Sequence, residues 1–228
     1  MNKPYTICHM MTTLDGRIDC GMVSKVKGVD EYYATLNALD APSRVSGRMT
    51  AQLEMADKDA TFVAKNATAY GKEGFSKKLS ADAYEVITDT TGSLRWDNWE
   101  RERSLLIVMS EQVATEYLDY LDAQNISWIV TGETSIDLAR ACEILADEFG
   151  VARMAVVGGG HINAAFLDAG LLDEVSILLA PAIDGRGGMA AAFDGLAMDR
   201  EPVHLQLTNA QTYDDGALWL RYGINGRA

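Results

Sequence analysis

The residues with the clearest chemical use are three consecutive glycines, Gly158 to Gly160, which follow an apolar run and precede a helix-like pattern. Glycine has no Cβ atom and can adopt positive φ, so its backbone N–H can come very close to a ligand. A helix that begins behind the glycines directs the positive end of its dipole at the same place. These features are typical of a phosphate-binding turn, although a flexible surface loop would also explain three glycines.

The segments around the glycines favour the binding interpretation. Residues 151–157 have the pattern of a buried strand, residues 164–169 that of a short helix, and residues 175–180 that of a second strand. In such a βαβ unit the glycines lie at the carboxyl end of a strand, where α/β sheets bind ligands. The fingerprint G-x-G-x-x-G is not completed, because it requires glycine where this chain has Asn163. We therefore predict a nucleotide site of another α/β type.

The elements that position this turn follow from periodicity along the rest of the chain. Strands are predicted at residues 5–11, 44–46, 84–87, 104–109, 127–130, 203–207 and 217–222, and helices at 28–39, 51–56, 111–123 and 136–149. The last two strands form an antiparallel pair with Leu205, Leu207, Leu218 and Leu220 on one side. Crossovers followed by a hairpin predict one α/β domain over residues 1–228, a three-layer αβα fold with a mostly parallel, mixed sheet.

The composition excludes several classes of function. The formal net charge of −13 argues against a nucleic-acid surface, because phosphate neutralisation requires clustered Lys and Arg. No apolar run is long enough to span a bilayer, and the N-terminus lacks the apolar core of a signal peptide. We expect a soluble, cytoplasmic protein that binds a small molecule and neither nucleic acid nor a membrane.

The cysteines and histidines do not predict a metal centre. Cys8, Cys20 and Cys142 are scattered and odd in number, as is usual for reduced thiols and not for a disulfide framework. The three histidines show no ligand spacing with one another or with the cysteines. We expect no bound metal.

Three segments occur in the order found in one enzyme family. Leu14-Asp15-Gly16-Arg17-Ile18 follows the first strand, Gly47-Arg48-Met49-Thr50 opens a helix, and the glycine triplet is followed by Ala169-Gly170-Leu171-Leu172-Asp173-Glu174-Val175 and Ala180-Pro181. With these segments the chain closely resembles the reductase domain of riboflavin biosynthesis, which shares the dihydrofolate-reductase fold. The likeness spans residues 4 to 193. No His-x-Glu with paired cysteines is present, so we expect a stand-alone reductase without the deaminase domain.

The resemblance implies a cofactor, NADPH in preference to NADH, which lies across the carboxyl ends of the strands. It places Gly47, Arg48 and Thr50 on one side of the dinucleotide and the glycine triplet on the other. Arg48 is the expected source of positive charge for the 2′-phosphate. Further cofactor contacts are expected from Thr88, Thr131, Ile162 and Asn163. A cis peptide between Gly158 and Gly159 is also implied.

The turn that begins at Thr88 is expected to meet the 2′-phosphate. Thr88 and Thr90 can donate hydrogen bonds there. Asp89 would repel a phosphate unless its side chain points away.

The substrate half of the family pattern is altered. The riboflavin reductases usually have a glutamate that contacts substrate before the glycine triplet, whereas this chain has Val157. Their substrate-phosphate run, Pro-Leu-Thr-x-Arg, has no counterpart after Thr50. The substrate therefore need not be the riboflavin intermediate, and an aminopyrimidine or pterin-like compound with a C=N or C=O bond is expected.

The expected chemistry is hydride transfer, with a carboxyl group as the proton source. Asp15 and Glu31 are the candidates, with Asp30 as an alternative to Glu31, provided that burial raises the pKa of the carboxyl group. Asp15 equally suits a turn, and Asp30 and Glu31 equally suit a helix N-terminus. A non-catalytic NADP(H)-binding or sensor protein remains the alternative function. The resemblance also implies a homodimer through residues 203–222.

Overall fold

The chain alternates strands and helices over the residues that the computed structural model describes, 2–58, 60–100 and 102–224. The strands are β1 (Tyr5–Thr12), β2 (Ser43–Gly47), β3 (Gly74–Ser76), β4 (Tyr84–Thr88), β5 (Ser104–Met109), β6 (Ser127–Val130), β7 (Arg153–Val156), β8 (Glu174–Leu179), β9 (Leu205–Thr212) and β10 (Leu218–Ile224). The helices are α1 (Cys20–Val23), α2 (Val29–Ala38), α3 (Arg48–Glu54), α4 (Thr115–Ala123), α5 (Leu138–Asp147) and α6 (Gly160–Asp168).

These elements belong to two compact units. The middle unit is built mainly from Pro42–Ala152, and the flanking unit from Tyr5–Ala41 and the chain from Arg153 onward. The prediction of one domain over residues 1–228 stays a prediction.

The middle unit contains a four-stranded parallel sheet with an antiparallel edge strand. Its spatial order is β3-β6-β5-β4-β2, and β3 is the antiparallel strand. Strand β4 is buried at every position, and β5 at every position after its first. Such continuous apolar runs are typical of parallel strands covered on both faces. The core of this unit includes Ile107, Tyr117 and Trp128.

The flanking unit has the order β7-β1-β8-β10-β9, in which β7, β1 and β8 are parallel and the last two strands are antiparallel. Its core packs Leu36 of α2 against Ile7, Leu178 and Trp219 of the sheet. Taken by itself, each unit confirms the prediction of a mixed, mostly parallel α/β sheet, and the flanking unit confirms the C-terminal antiparallel hairpin.

The predicted helices are present, and three of them begin three or four residues away from their predicted starts. Helix α6 begins at Gly160 instead of residue 164, and α3 begins at Arg48 instead of residue 51. Helix α4 begins at Thr115 instead of residue 111, because Glu111 donates its backbone N–H to Gly132 across the unit. Apolar periodicity identifies a helix by its buried face. The residue at which the helix begins depends on tertiary contacts of the first turn, which that periodicity does not contain.

The terminal hairpin has the predicted leucine side, with an irregularity that the sequence pattern does not show. Leu218 and Leu220 pair with Thr212 and Ala210, whereas a β-bulge after Arg221 shifts the register. Tyr222 and Ile224 then face Leu207 and Leu205, so all four leucines lie on one side of the hairpin. Leu205 is 39% exposed and Leu207 is 54% exposed.

Candidate functional site

The glycine turn of the flanking unit joins β7 to α6. The peptide between Gly158 and Gly159 is cis, as the resemblance implied. Gly159 is the extended N-cap residue of α6, and its carbonyl accepts hydrogen bonds from the N–H groups of Ile162 and Asn163, both at 3.1 Å. The turn thus presents the N-terminus of a nine-residue helix at the carboxyl edge of the sheet.

The third glycine has a structural requirement within the chain itself. A Cβ atom at Gly160 would overlap the carbonyl oxygen of Ala191. Asn163 is fully buried, and its Nδ2 donates to the carbonyl of Ala192 at 2.7 Å. Both residues therefore contact a later segment of the chain, which the glycine pattern alone does not indicate. Ile162, between them, is half-buried.

Asp15 follows β1 at the same edge of the flanking unit. Its exposed carboxylate accepts hydrogen bonds from the Thr13 hydroxyl at 2.6 Å and from the N–H groups of Asp184 and Gly185 at 3.0 and 2.9 Å. These bonds, the Thr13 hydroxyl first, hold the pKa of Asp15 well below its usual range. Asp15 was expected to donate a proton only if burial raised its pKa. The pKa is lowered instead, so Asp15 does not meet that requirement.

Glu31 lies in the first turn of α2 and is half-buried, whereas Asp30 beside it is exposed. Burial and the nearby charge of Glu31 raise the pKa of Tyr213. Glu31 and Tyr213 are therefore neighbours in the flanking unit. Sequence reasoning missed Tyr213, because about 180 residues separate it from Glu31 and no local pattern connects them.

A second feature that sequence reasoning missed surrounds His9, a fully buried residue of β1. Its ring stacks on Tyr32 of α2, with centroids 4.9 Å apart. Nδ1 lies 2.9 Å from the Ser176 hydroxyl, and Nε2 lies 3.2 Å from the Thr35 hydroxyl. A histidine in an apolar strand was the available signal, but its partners come from two other elements, α2 and β8.

The middle unit places its predicted cofactor residues along one sheet edge. Gly47 ends β2 and Thr88 ends β4, and the two residues are paired in register. Arg48 begins α3 and is exposed; its guanidinium contacts Gln52 and Met49. Thr50, in the same helical turn, is half-buried.

The turn after Thr88 shows where the Asp89 side chain points, which decides whether it would repel a phosphate bound there. Asp89 is fully buried, and its carboxylate accepts hydrogen bonds from the N–H groups of Ser93 and Leu94 at 2.6 and 3.0 Å. The side chain thus points into its own turn. Thr90 is exposed at the same turn.

Two further threonines of this edge use their hydroxyls within the unit. The Thr88 hydroxyl donates to the Ser46 carbonyl at 3.3 Å, and the Thr131 hydroxyl donates to the Asp137 carbonyl at 3.0 Å. Each hydroxyl can still accept a hydrogen bond. That these middle-unit residues and the glycine turn hold the same dinucleotide stays a prediction.

Other expectations concern groups away from these edges. Cys8 and Cys142 are buried, and burial raises the pKa of the Cys8 thiol. Within residues 2–58, 60–100 and 102–224, no three His, Cys, Asp or Glu side chains are grouped as a metal site requires. No helix in that part of the chain is long and apolar enough to cross a membrane. The side chain of Cys20 lies outside the described residues.

Comparison with known proteins supports the resemblance over most of the chain. A sequence model of the RibD C-terminal domain family matches residues 4–219. The chain is 29% identical over 233 residues to a 2,5-diamino-6-ribosylamino-4(3H)-pyrimidinone 5′-phosphate reductase of Methanothermobacter thermautotrophicus. That alignment covers 98% of this chain and 100% of the relative.

Solved structures share the fold at lower sequence identity. A pyrimidine reductase-like protein from Corynebacterium diphtheriae has a TM-score of 0.71 at 16% identity, covering 98% of this chain and 93% of that one. The riboflavin biosynthesis reductase Rib7 of Saccharomyces cerevisiae has a TM-score of 0.63 at 15% identity, covering 97% and 90%. The predictions of a dihydrofolate-reductase-like fold and of an oxidoreductase are confirmed, and the chain belongs to the RibD C-terminal domain family.

Proposed function

We propose that this protein is a pyrimidine reductase of riboflavin biosynthesis that uses NADPH to reduce a C=N or C=O bond of a phosphorylated ribosylaminopyrimidine. The observation that carries the proposal is the family match over residues 4–219, which includes the glycine turn before α6. The substrate class comes from the relative of Methanothermobacter thermautotrophicus. Val157 stands where the riboflavin reductases usually have a substrate-binding glutamate, so other residues must bind that part of the substrate.

The glycine turn fits the pyrophosphate of a dinucleotide. The N–H groups of Ile162 and Asn163 bond to the Gly159 carbonyl. The N–H groups of Gly160 and His161 at the start of α6 are therefore the ones that can meet an anion. The helix dipole adds favourable electrostatics there. Gly158 and Gly159 lead directly into such a helix end at Gly160. We assign these glycines and Ile162 to the cofactor contacts of the flanking unit.

The middle-unit residues fit the adenosine end, and Arg48 is the reason for preferring NADPH. Its guanidinium is exposed and contacts only an amide oxygen and a thioether, so no carboxylate of the described chain neutralises its charge. An unpaired guanidinium binds phosphate well. Gly47, Thr50, Thr88 and Thr131 complete the proposed contacts, with Thr50 as a hydroxyl donor.

The nicotinamide, when bound, supplies the hydride, and the protein supplies orientation and a proton. We propose Glu31, beside Tyr213, for the handling of the proton. Asp15 is assigned a different task from the one expected, because its carboxylate is held ionised by three donors. It acts as an acceptor that fixes the turn at Asp184 and Gly185.

The leucine side of the terminal hairpin fits a homodimer. Leu205 and Leu207 are exposed there, and Leu218 and Leu220, further along the same side of the hairpin, are half-buried. A contiguous apolar patch of this kind usually marks an interaction surface. We propose that it is covered by the same side of a second copy, and that the dimer works in the cytoplasm.

The test is loss of NADPH fluorescence when a phosphorylated ribosylaminopyrimidine is added to the purified protein. Turnover is expected with NADPH, and Arg48→Ala should weaken NADPH binding about tenfold or more while NADH binding, the internal control, stays within twofold. Tight NADPH binding without turnover of any aminopyrimidine or pterin would favour the sensor alternative. No thermal stabilisation by NADPH or NADH would exclude both functions.

A further inference from the structure

The chain between β8 and β9 returns to the carboxyl edge of the flanking unit through a short apolar segment, Met189–Asp194. It is preceded by exposed, glycine-rich residues at 185–188 and followed by exposed Gly195. The residues from Met189 to Phe193, in contrast, are half-buried. The exposed residues on either side cannot fix the position of the segment. Contacts made by the segment itself must do so.

One side of the Met189–Asp194 segment is bound to the loop after β1. Ile18 donates its N–H to the Ala190 carbonyl at 3.0 Å, and Ala192 donates its N–H to the Gly16 carbonyl at 3.1 Å. The Arg17 guanidinium adds a side-chain bond to the Met189 carbonyl at 2.5 Å.

The other side of the segment is bound to the first turn of α6. Asn163 donates Nδ2 to the Ala192 carbonyl at 2.7 Å, and Asp194 donates its N–H to the Gly160 carbonyl at 3.2 Å. The absence of a Cβ atom at Gly160 leaves the space that the Ala191 carbonyl occupies. Among the described residues of α6, Asn163 is thus the only one whose side chain donates a hydrogen bond to this segment.

Both side-chain anchors leave one polar atom buried and unpaired in the described chain. These atoms are the Arg17 Nε and the Asn163 Oδ1. An unpaired buried polar atom is destabilising, and an apolar residue of the same shape at position 163 would avoid it. The hydrogen bond from Nδ2 to the Ala192 carbonyl is therefore the interaction that offsets the burial of the unpaired Oδ1.

The geometry points to Asn163 as a positioning residue: it holds the Met189–Asp194 segment against the start of α6, where the segment forms a wall of the substrate site. This role rests on the proposed function, which places the reaction at this edge of the sheet. In this proposal Asn163 acts through the segment and does not make the cofactor contact expected from the sequence, because its side chain is fully buried and its Nδ2 is bonded to the Ala192 carbonyl. It therefore sets the affinity for substrate and leaves the affinity for NADPH unchanged.

The test compares Asn163→Leu, which removes the donor together with the unpaired acceptor, with Gly187→Ala, whose Cβ would meet open space in the same connection. Amide exchange of Ala192 and Asp194 is followed by NMR in the free protein. In Asn163→Leu we expect exchange to be about tenfold faster, the KM for the aminopyrimidine to rise about five- to tenfold, and the Kd for NADPH to stay within twofold. Gly187→Ala should resemble the wild type in all three.

Arg17→Met provides an independent second variant, because it removes the other side-chain anchor and should also accelerate exchange of Ala192. Unchanged exchange in Asn163→Leu would overturn the proposal, as would a raised Kd for NADPH, which would indicate direct cofactor contact. Faster exchange with an unchanged KM would also overturn it. If the wild type turns over no aminopyrimidine, the proposed function fails, whereas the exchange measurement still decides whether Asn163 holds the segment.

Discussion

At the residue scale, a carboxyl group protonates a substrate only if it retains its proton near the working pH. Asp15 is held in the opposite state by three hydrogen-bond donors, and the same bonds connect β1 to the turn at Asp184 and Gly185. Asp184 is further paired with Arg186. The residue thus organises a loop at the proposed site in its ionised form.

The lowered pKa of Asp15 has a defined consequence at acid pH. Because the folded-state pKa lies below the unfolded value of about 3.9, the stabilisation is present above that value and is lost as the pH falls below it. Thr13→Val removes the strongest donor, so the carboxyl titration of Asp15, followed by NMR, should move to higher pH. The acid loss of stability should become less steep in this variant. A titration that does not move would show that Thr13 does not control the pKa.

Glu31 and Asp30 are adjacent acids in the first turn of α2, and Glu31 is half-buried whereas Asp30 is exposed. A favourable interaction with the helix dipole is available to both, whereas we propose proton transfer for Glu31 alone. Glu31→Gln should lower kcat on the order of 10²-fold, if Glu31 moves a proton. Asp30→Asn, in the same helical turn, should leave kcat within twofold. Steady-state kinetics of both variants decide the matter, and equal losses would assign both acids to the helix N-terminus.

Gly132 shows a backbone requirement in the loop that follows β6. It has φ of 79°, and a Cβ atom would overlap the backbone carbonyl of Ser135. Gly150 has a similar φ of 71° but nothing within 4 Å of that position. We expect Gly150→Ala to cost about 1 kcal/mol and Gly132→Ala about 3 kcal/mol or more in urea unfolding. Equal losses would mean that the loop adapts to the added methyl group.

At the scale of elements, a buried chain of hydrogen bonds connects β10, β8, β1 and α2. Trp219 can only donate, and it donates to the Ser176 hydroxyl at 2.8 Å. At the other end, the Thr35 hydroxyl donates to the Tyr32 carbonyl at 3.0 Å. The Thr35 hydroxyl has used its one proton, so it accepts from His9 Nε2–H. In a neutral imidazole Nδ1 is then the acceptor, and Ser176 donates to it.

This direction predicts that His9 carries its proton on Nε2 and none on Nδ1, which ¹⁵N chemical shifts measure. Ser176→Ala would remove the hydroxyl that accepts from the buried Trp219 N–H and that bonds His9 Nδ1. We expect a loss of about 1–3 kcal/mol in the free energy of unfolding. Thr208→Ala is the matched control, because the Thr208 hydroxyl is exposed when it donates to the Arg221 carbonyl. A control loss as large as that of Ser176→Ala would contradict the importance of the buried chain.

At the scale of the whole molecule, the acidic surface and the leucine side of the hairpin act on association in opposite ways. The net charge of −13 makes copies repel one another. The exposed side chains of Leu205 and Leu207 favour association through apolar burial. The proposed dimer requires that apolar burial outweigh this repulsion, which salt screens over about 10 Å at 0.1 M.

The proposed dimer predicts a solution mass of twice the 24.8 kDa of the chain. Leu207→Asp adds a charge to the leucine side and should give a monomer in light scattering coupled to size exclusion. Gln206→Asp is the matched control, because Gln206 pairs with Gly223 on the other side of the hairpin and should leave the dimer intact. A monomeric wild type would remove the proposal.

The regular elements were predictable because apolar periodicity is local. The patterns of β5 and β6 agree with the structure to the residue, and the helix predicted at residues 136–149 is present as α5. The β-bulge at Arg221 was not predictable, since it depends on the pairing of two strands. The starts of α4 and α6 depend likewise on contacts with distant residues, Gly132 and Ala191.

The sequence by itself determined the family, the fold class and the position of the glycine turn, because order along the chain and periodicity carry that information. Only the tertiary structure decided what the individual groups do. Hydrogen bonds from residues 184 and 185 keep Asp15 ionised, those from Ser93 and Leu94 turn Asp89 inward, and the Ala191 carbonyl requires glycine at 160. The physical reason is that protonation, hydrogen bonding and steric fit depend on atoms within a few ångströms, and folding brings those atoms from distant parts of the chain.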